Sequence, residues 1–319
     1  MEKDFPVLAI VVPCYNEQEV FESTERQLRG LIDRMINNGL VSPKSFVAYV
    51  DDGSRDFTWC LIEEAVEAHP GTDRGIKLGH NAGHQNALLA GMEAVMNHCD
   101  AIISIDADLQ DDIEAIPKMV HEYRNGSEIV YGVRDLREMD TWFKRNTAIS
   151  FYKLMQKMGV ESVPNHADFR LMSSRAVNEL LRYHEDNIFL RGIVPRIGLR
   201  QSQVKYDRKA REAGESKYPL KKMINFAVEG ITSFSIKPVR MVFGLGIIFV
   251  IIALAIFIYT ICRYFSHDTI EGWTSLMLSI WFCTGVLLLG IGIIGEYVGK
   301  IFLQVKKRPR FVIESLKGF

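Results

Sequence analysis

No two cysteines of this chain are spaced C-x-x-C, and only five occur in 319 residues: Cys14, Cys60, Cys99, Cys262 and Cys283. That leaves no disulfide framework and no zinc site of the usual spacing, and a reducing compartment fits best. Neither sign of charge is in excess. With 38 Lys and Arg against 39 Asp and Glu, the formal net charge is -1, so nothing global recommends nucleic acid as a partner and any basic site must be local. No G-x-G-x-x-G follows the first apolar run, which argues against a dinucleotide-binding domain. Internal repeats and low-complexity segments are also lacking. Near the N-terminus the only apolar run, residues 7–12, is too short for a signal-peptide core and stops at Pro13, so a cytoplasmic first domain is expected.

Long apolar runs are confined to the C-terminal part. Residues 241–262 and 272–295 carry no charge over about 22 and about 24 positions, long enough to cross a bilayer core of about 30 Å, except for Glu271 at the border of the second. Two spanning helices are expected; a buried hairpin in a soluble core is the competing reading, but helices apolar on all sides are unusual there. Lys237 and Arg240 precede the first run. Lys300, Lys306, Lys307, Arg308 and Arg310 follow the second, while the connection 266–271 has no Lys or Arg. The positive-inside rule then places both ends in the cytoplasm, with Arg263 snorkelling at the far side.

Residues 1–215 read as alternating strands and helices. Apolar runs at 8–12, 46–50, 101–105 and 128–131 end at polar or Gly-containing turns, and amphipathic stretches separate them, the pattern of a mostly parallel α/β sheet. Ligands of such sheets bind at the carboxyl ends of the strands. The organisation expected is a catalytic domain at 1–215, a juxtamembrane amphipathic segment at 216–238, two transmembrane helices within 239–299 and a basic cytosolic tail at 300–319.

The first run leads into Pro13-Cys14-Tyr15-Asn16-Glu17 and the second into Asp51-Asp52-Gly53-Ser54. Tyr15 could stack on a base, and Asp51 or Asp52 could accept hydrogen bonds from a base N–H or a ribose hydroxyl; ordinary turn chemistry explains each segment taken alone. After the run at 101–105 comes Asp106-Ala107-Asp108-Leu109-Gln110. On an extended backbone Asp106 and Asp108 share a face and repel unless a cation lies between them. Mg2+ or Mn2+ suits such a pair, because each takes few protein carboxylates and keeps positions for diphosphate oxygens. A chance D-x-D is the alternative. His80 and His84 are one helical turn apart, yet without a Glu or a third ligand they make a poor zinc site. Gly83 instead lets backbone approach an anionic donor at a helix start. Residues 142–159 interleave Lys144, Arg145, Lys153 and Lys157 with aromatic side chains, which suits either an interfacial helix or one packed on the sheet. Asp168-Phe169-Arg170 and Arg191 add paired charges. Arg208, Arg211, Ser216 and Lys217 form a loop that could clamp phosphates or simply be solvated.

Taken together, V-P-x-Y-N-E at 12–17, V-D-D-G-S at 50–54, D-A-D-L-Q at 106–110, D-F-R at 168–170 and R-x-x-R-x-x-G-x-S-K-Y at 208–218 resemble the family-2 glycosyltransferases that act on polyisoprenyl phosphates, among them dolichyl-phosphate mannose synthases and bactoprenol glucosyltransferases. The resemblance spans nearly the whole chain. It implies a GT-A fold, with Pro13, Tyr15, Glu17, Asp51, Asp52 and Ser54 around the nucleotide and Asp106, Asp108 and Gln110 around the metal. It also implies Arg134 and Arg145 facing the acceptor phosphate, and Arg208, Arg211, Ser216 and Lys217 closing over the donor. The partners implied are a nucleotide-sugar donor, a polyprenyl phosphate and the membrane, with no nucleic acid; the two-helix relatives tend to form homotetramers. UDP-glucose is the first donor expected, and a single inverting displacement the expected course. The Q-x-x-R-W motif of processive synthases is absent. A membrane-tethered nucleotide-sugar-binding scaffold without transfer activity is the alternative function.

Overall fold

The computed structural model describes residues 5–134, 166–185, 190–206 and 272–319, together with single helical positions between 239 and 258. These residues fall in two compact units. The first comprises those within Met1–Thr147, Glu161–Lys217 and Lys307–Phe319, and the second those within Tyr218–Lys306.

The first unit is built on an eight-stranded sheet. In chain order it runs β1 (Leu8–Cys14), α1 (Phe21–Asn37), β2 (Phe46–Asp51), α2 (Thr58–Ala68), β3 (Asp73–Leu78), α3 (His84–Val95), β4 (Ala101–Ser104), α4 (Ala115–Arg124), β5 (Ile129–Arg134), β6 (His166–Ser173), α5 (Ser174–Leu181), α6 (Leu190–Ile193) and β7 (Gln201–Tyr206). The strand β8 (Ile313–Lys317) completes it, and the spatial order is β7-β5-β6-β4-β1-β2-β3-β8. β1 pairs in parallel with β2 and β4, β2 with β3, and β5 with β7. β3 with β8, β4 with β6, and β5 with β6 are antiparallel. The sheet is therefore mixed.

Every residue of β1, β2 and β4 is buried, which is why these strands are unbroken apolar runs: helices cover both faces. The chain winds from β1 through β2 to β3 on one side and then crosses to β4 on the other side of β1. That reversal opens a crevice at the carboxyl ends of β1 and β4. Amphipathic spacing docks α1 through Phe21, Leu28, Leu31, Ile32 and Met35, and truncating a core residue such as Leu28 to Ala costs about 2–5 kcal/mol. α3 lies close over β1 and β2 because position 91 has no side chain: a Cβ there would stand 2.5 Å from Val11 Cγ1 and 2.7 Å from Val50 Cγ2.

In the second unit, α7 (Trp273–Lys306) is one helix of 34 residues. Its part Phe282–Lys306 is long and apolar enough to cross a membrane. Of the expected first span, Val242, Gly244, Ile248, Ile251, Ile252, Ala255 and Ile258 are described, all helical. Gly290 is buried, and a Cβ there would come within 3.2 Å of Val242. The rest of that span and the juxtamembrane segment 216–238 lie outside the described residues. Within the expected tail at 300–319, α7 continues to Lys306 and residues 313–317 form a strand of the sheet of the first unit.

Candidate active site

Two loops meet where β1 and β2 end. Asn16 takes the left-handed conformation (φ 55°), which Asn tolerates. Its N–H donates to Ser54 Oγ (3.0 Å), and its Oδ1 accepts from the Arg55 amide (2.8 Å). Glu17 N–H donates to Thr58 Oγ1 at 2.9 Å. Pro13 is buried near the end of β1, while Tyr15, just past the strand, is 42% exposed. The Cys14 thiol below it is pushed well up by burial and then by Glu17, Asp51 and Asp56, so it stays a neutral packing group.

The paired aspartates do different jobs. Asp52 accepts the Ala82 amide on Oδ1 (2.7 Å) and the Gly83 amide on Oδ2 (3.0 Å), which ties the loop after β3 to the end of β2. Asp51 accepts the Ser54 amide on Oδ1 (3.2 Å). Its Oδ2 is buried with no hydrogen-bond partner, and burial raises its carboxyl above the ordinary value despite the Ser54 bonds. An orphaned acceptor of this kind invites a ligand N–H or hydroxyl. Gly53 allows the two loops to touch, since a Cβ there would stand 2.7 Å from Asn81 N. Gly83 has φ 88° and open space where a side chain would point; it precedes α3, whose first turn faces the crevice.

Beyond β4 the ladder ends with the Ile105 amide on Val11 O (3.1 Å), and the Leu109 amide closes a turn onto Asp106 O (3.2 Å). The D-x-D segment is thus a turn and not the extended face expected from the sequence. Leu109 carries a left-handed φ of 42° within it, a strain of the sort that surrounding structure must impose. Asp108 is exposed, and Gln110 holds it through a 2.7 Å bond from Nε2 to Oδ2. Asp106 lies at the crevice floor. Burial, with Asp168, Asp111 and Asp108 nearby, pushes its carboxyl up to about 6 although His84 acts the other way.

The third wall comes from β6. Register places Arg170 opposite both Ser104 of β4 and Tyr131 of β5, inside the sheet and 1% exposed. Its Nη2 meets Asp168 Oδ1 at 2.5 Å, and Arg191 of α6 reaches Asp168 Oδ2 at 3.3 Å. Burial alone would raise Asp168, but Arg170, then Arg191 and His84, hold it down to about 2. His84 Nε2 joins the two carboxylates, 3.4 Å from Asp106 Oδ1 and 3.9 Å from Asp168 Oδ2.

The structure therefore gathers Tyr15, Asp51, Asp52, Ser54, Gly83, Asp106, Asp108, Gln110, Asp168, Arg170 and Arg191 around one crevice. It adds His84, which the sequence offered only as half of a poor zinc pair; its place on the first residue of α3, after the Gly83 turn, was the available signal. Glu17 belongs to the same loop cluster. The Arg134 backbone ends β5, paired with Tyr206; Arg145, Arg208, Arg211, Ser216 and Lys217 lie outside the described residues. Among the described residues no group of three or more His, Cys, Asp or Glu is arranged to hold a metal ion. A pair completed by ligand oxygens remains the arrangement to test. Asp106, raised by burial and then by neighbouring carboxylates, and the exposed Asp108 are the hard oxygen donors that Mg2+ or Mn2+ takes.

Residues 9–181 match the model of glycosyl transferase family 2. The glycosyltransferase YkoT of Bacillus subtilis, itself uncharacterized, is 51% identical over 98% of this chain and 93% of that protein. The bactoprenol glucosyl transferase of Shigella phage SfX is 36% identical over 97% of this chain and 99% of that protein. A prophage bactoprenol glucosyl transferase homolog of Escherichia coli is 34% identical over 97% of this chain and 99% of its own length. Among solved structures, glucosyl-3-phosphoglycerate synthase from Mycobacterium tuberculosis in complex with Mn2+, UDP and its product aligns at a TM-score of 0.43 with 18% identity, over 71% of this chain and 78% of that one. The mixed sheet, the strand-end motifs in their order and the full-length relatives agree: the fold is GT-A-like, and the chain belongs to glycosyl transferase family 2.

Proposed function

We propose that this glycosyltransferase transfers one sugar, glucose from UDP-glucose in the first instance, to a polyprenyl phosphate such as undecaprenyl phosphate at the cytoplasmic face of a membrane, with inversion. The observation that carries the reading is the pair of carboxylates bridged by His84: Asp106, raised first by burial, and Asp168, held as an anion between Arg170 and Arg191. Relatives named bactoprenol glucosyl transferase over nearly the full chain support the acceptor class.

Asp106 and Asp108 would hold Mg2+ or Mn2+, which when bound supplies Lewis-acid neutralisation of a diphosphate leaving group. Gln110 fixes the Asp108 carboxylate for that task. Tyr15, exposed beyond β1, would stack on the base, and the unpartnered Asp51 Oδ2 would accept from it. A carboxyl held near 2 is a weak proton acceptor, so Asp168 orients Arg191, which is one-third exposed and can reach an anionic substrate. A phosphate monoester, with its second pKa near about 6, is already mostly dianionic at neutral pH and attacks without a strong base. Arg134, at the end of β5, and Arg145, outside the described residues, are proposed for the acceptor phosphate, and Arg208, Arg211, Ser216 and Lys217, also outside them, for the donor phosphates.

Topology supports a multi-pass anchor. β8 follows α7 in the chain yet pairs with β3 of the sheet that holds the crevice. A sheet cannot pair across a bilayer, so a chain that leaves this sheet through a spanning helix must cross an even number of times before rejoining it. With Phe282–Lys306 as one crossing, the apolar run at 241–262 supplies the other, and catalytic domain and C-terminus lie on one side. The homotetramer implied by the resemblance is open to native mass spectrometry in detergent.

The test is radiolabel transfer from a panel of UDP- and GDP-sugars to undecaprenyl phosphate in detergent, with Mg2+, Mn2+ or EDTA. A chloroform-soluble product from one donor, abolished by EDTA and inverted at the anomeric carbon, is expected. Nucleotide binding with no transfer from any donor would favour the tethered binding protein instead, and retention would exclude single displacement.

A further inference from the structure

The strand that follows the membrane helix is docked by more than its ladder. Beyond the register Gly75↔Lys317 to Leu78↔Ile313, Lys77 pairs with Glu314 at 3.1 Å and Lys317 with Glu63 of α2 at 3.1 Å. The Arg74 guanidinium lies 3.6 Å from the Phe46 ring centroid and 5.0 Å from that of Phe319. Arg310 is tied to the first unit too, donating to the Tyr183 carbonyl. These anchors run along β3 from Arg74 near its amino end to Lys77 near its carboxyl end. Just past the carboxyl end of β3 the Gly79 amide donates to Val312 O at 2.9 Å, beyond the regular ladder.

Gly79 opens the loop that runs to α3. His80 and Asn81 press their backbone on Gly53, Ala82 and Gly83 donate to Asp52, and His84 reaches Asp106 and Asp168. The loop is thus pinned at its far end by Asp52 of β2 and at its near end by Val312, a residue contributed from beyond the membrane helix.

We propose that β8 is a positioning element of the donor site: through the Val312 carbonyl it fixes Gly79, and with it the loop that sets Gly83 and His84 against the donor. This rests on reading the crevice as a nucleotide-sugar site. The chain that anchors the enzyme in the bilayer also completes the register of the loop that receives the soluble substrate. β-strand addition at a sheet edge is a strong but separable interaction, so the effect can be removed and restored.

The experiment compares the full chain in detergent with a variant ending at Arg310, which lacks residues 311–319. Each is examined with and without a synthetic peptide of those nine residues. Hydrogen exchange at residues 79–83, UDP affinity by calorimetry, and separate KM values for donor and polyprenyl phosphate are measured. Loss of a preorganised loop predicts faster exchange at Gly79, Ala82 and Gly83, UDP affinity and donor KM worse by about tenfold, an acceptor KM unchanged, and recovery on adding the peptide. If the shortened chain does not melt cooperatively, Lys317→Glu in the full chain, which sets two carboxylates against each other at Glu63, replaces it. In either variant, β8 removed or freely exchanging with UDP affinity unchanged overturns the proposal. A full chain that binds neither UDP nor GDP would sink the donor reading instead, and the exchange rates at 79–83 would still decide whether β8 positions the loop.

Discussion

Asp168→Asn isolates the charge that organises the crevice. The wild-type carboxyl lies near 2 in the folded protein against 3.8 in the ordinary state. A lowered carboxyl stabilises the fold above its unfolded value, and that contribution is lost as pH falls toward the folded value. Two units correspond to about 2.5 kcal/mol at pH 7, of which about half remains at pH 3. The amide removes this and leaves Arg170, only 1% exposed and already lacking a partner at Nε, as a buried cation without its carboxylate. Breaking one side of a buried pair costs about 3–5 kcal/mol, and since the two figures describe the same interaction, a loss of about 3 kcal/mol is expected. Denaturant unfolding of both proteins in detergent at pH 7 and pH 3 measures it: the gap should be near 3 kcal/mol and shrink by about half on acidification. The same variant separates orientation from base catalysis. A group near 2 cannot produce an acid limb between pH 5 and 7, so any such limb in the residual transfer should persist in Asp168→Asn. A gap below about 1 kcal/mol, one that does not narrow at pH 3, or disappearance of the limb would refute the assignment.

Asp108→Asn should lower transfer by at least about a hundredfold by removing a metal donor, and calorimetric titration with Mn2+ in the presence of UDP should show the ion bound more weakly than in the parent. Asp73 is wholly buried beside Glu25, Arg29 and Asp33 of α1, and burial with Glu25 pushes it up to about 7. The folded state then holds the extra proton between about 4 and 7, so this contribution to stability is full below the unfolded value and lost as pH rises through about 7. Asp73→Asn should accordingly match the parent at pH 4 and exceed it by up to about 4 kcal/mol at pH 8; equal gains at both pH values in denaturant unfolding would contradict this. Gly91→Ala forces a Cβ against Val11 and Val50 and should cost about 1–3 kcal/mol, read as a lower melting temperature with donor KM little changed.

Much of the site was legible in one dimension because three strands are buried on both faces. β1, β2 and β4 read as apolar runs, and the first polar residues after each mark the crevice. β3 was hidden because Asp73, Arg74 and Lys77 interrupt it, the first at the core and the others toward an edge. β6 was hidden because it carries Asp168 and Arg170 inward, against the rule that buried strands are apolar. β7 alternates exposed positions with half-buried Ser202 and buried Val204 and Tyr206, too few apolar positions to stand out as a run.

Sequence alone determined the chemistry on offer: an aromatic Tyr15 after the first strand, the aspartates at 51, 52, 106 and 108, and apolar length enough to cross a membrane. Those properties depend only on residue type and local order. Tertiary structure decided how they are used. Asp52 is occupied by the Ala82 and Gly83 amides while Asp51 keeps an open oxygen, and the D-x-D segment turns at Leu109 instead of extending. Asp168 is set near 2 and Asp106 near 6 by which charges surround each in the crevice. The residues beyond α7 become a strand of the catalytic sheet. Each outcome depends on groups distant in the chain that only the folded sheet brings within a few ångströms, where Coulomb and hydrogen-bond energies become large enough to choose between otherwise equivalent residues.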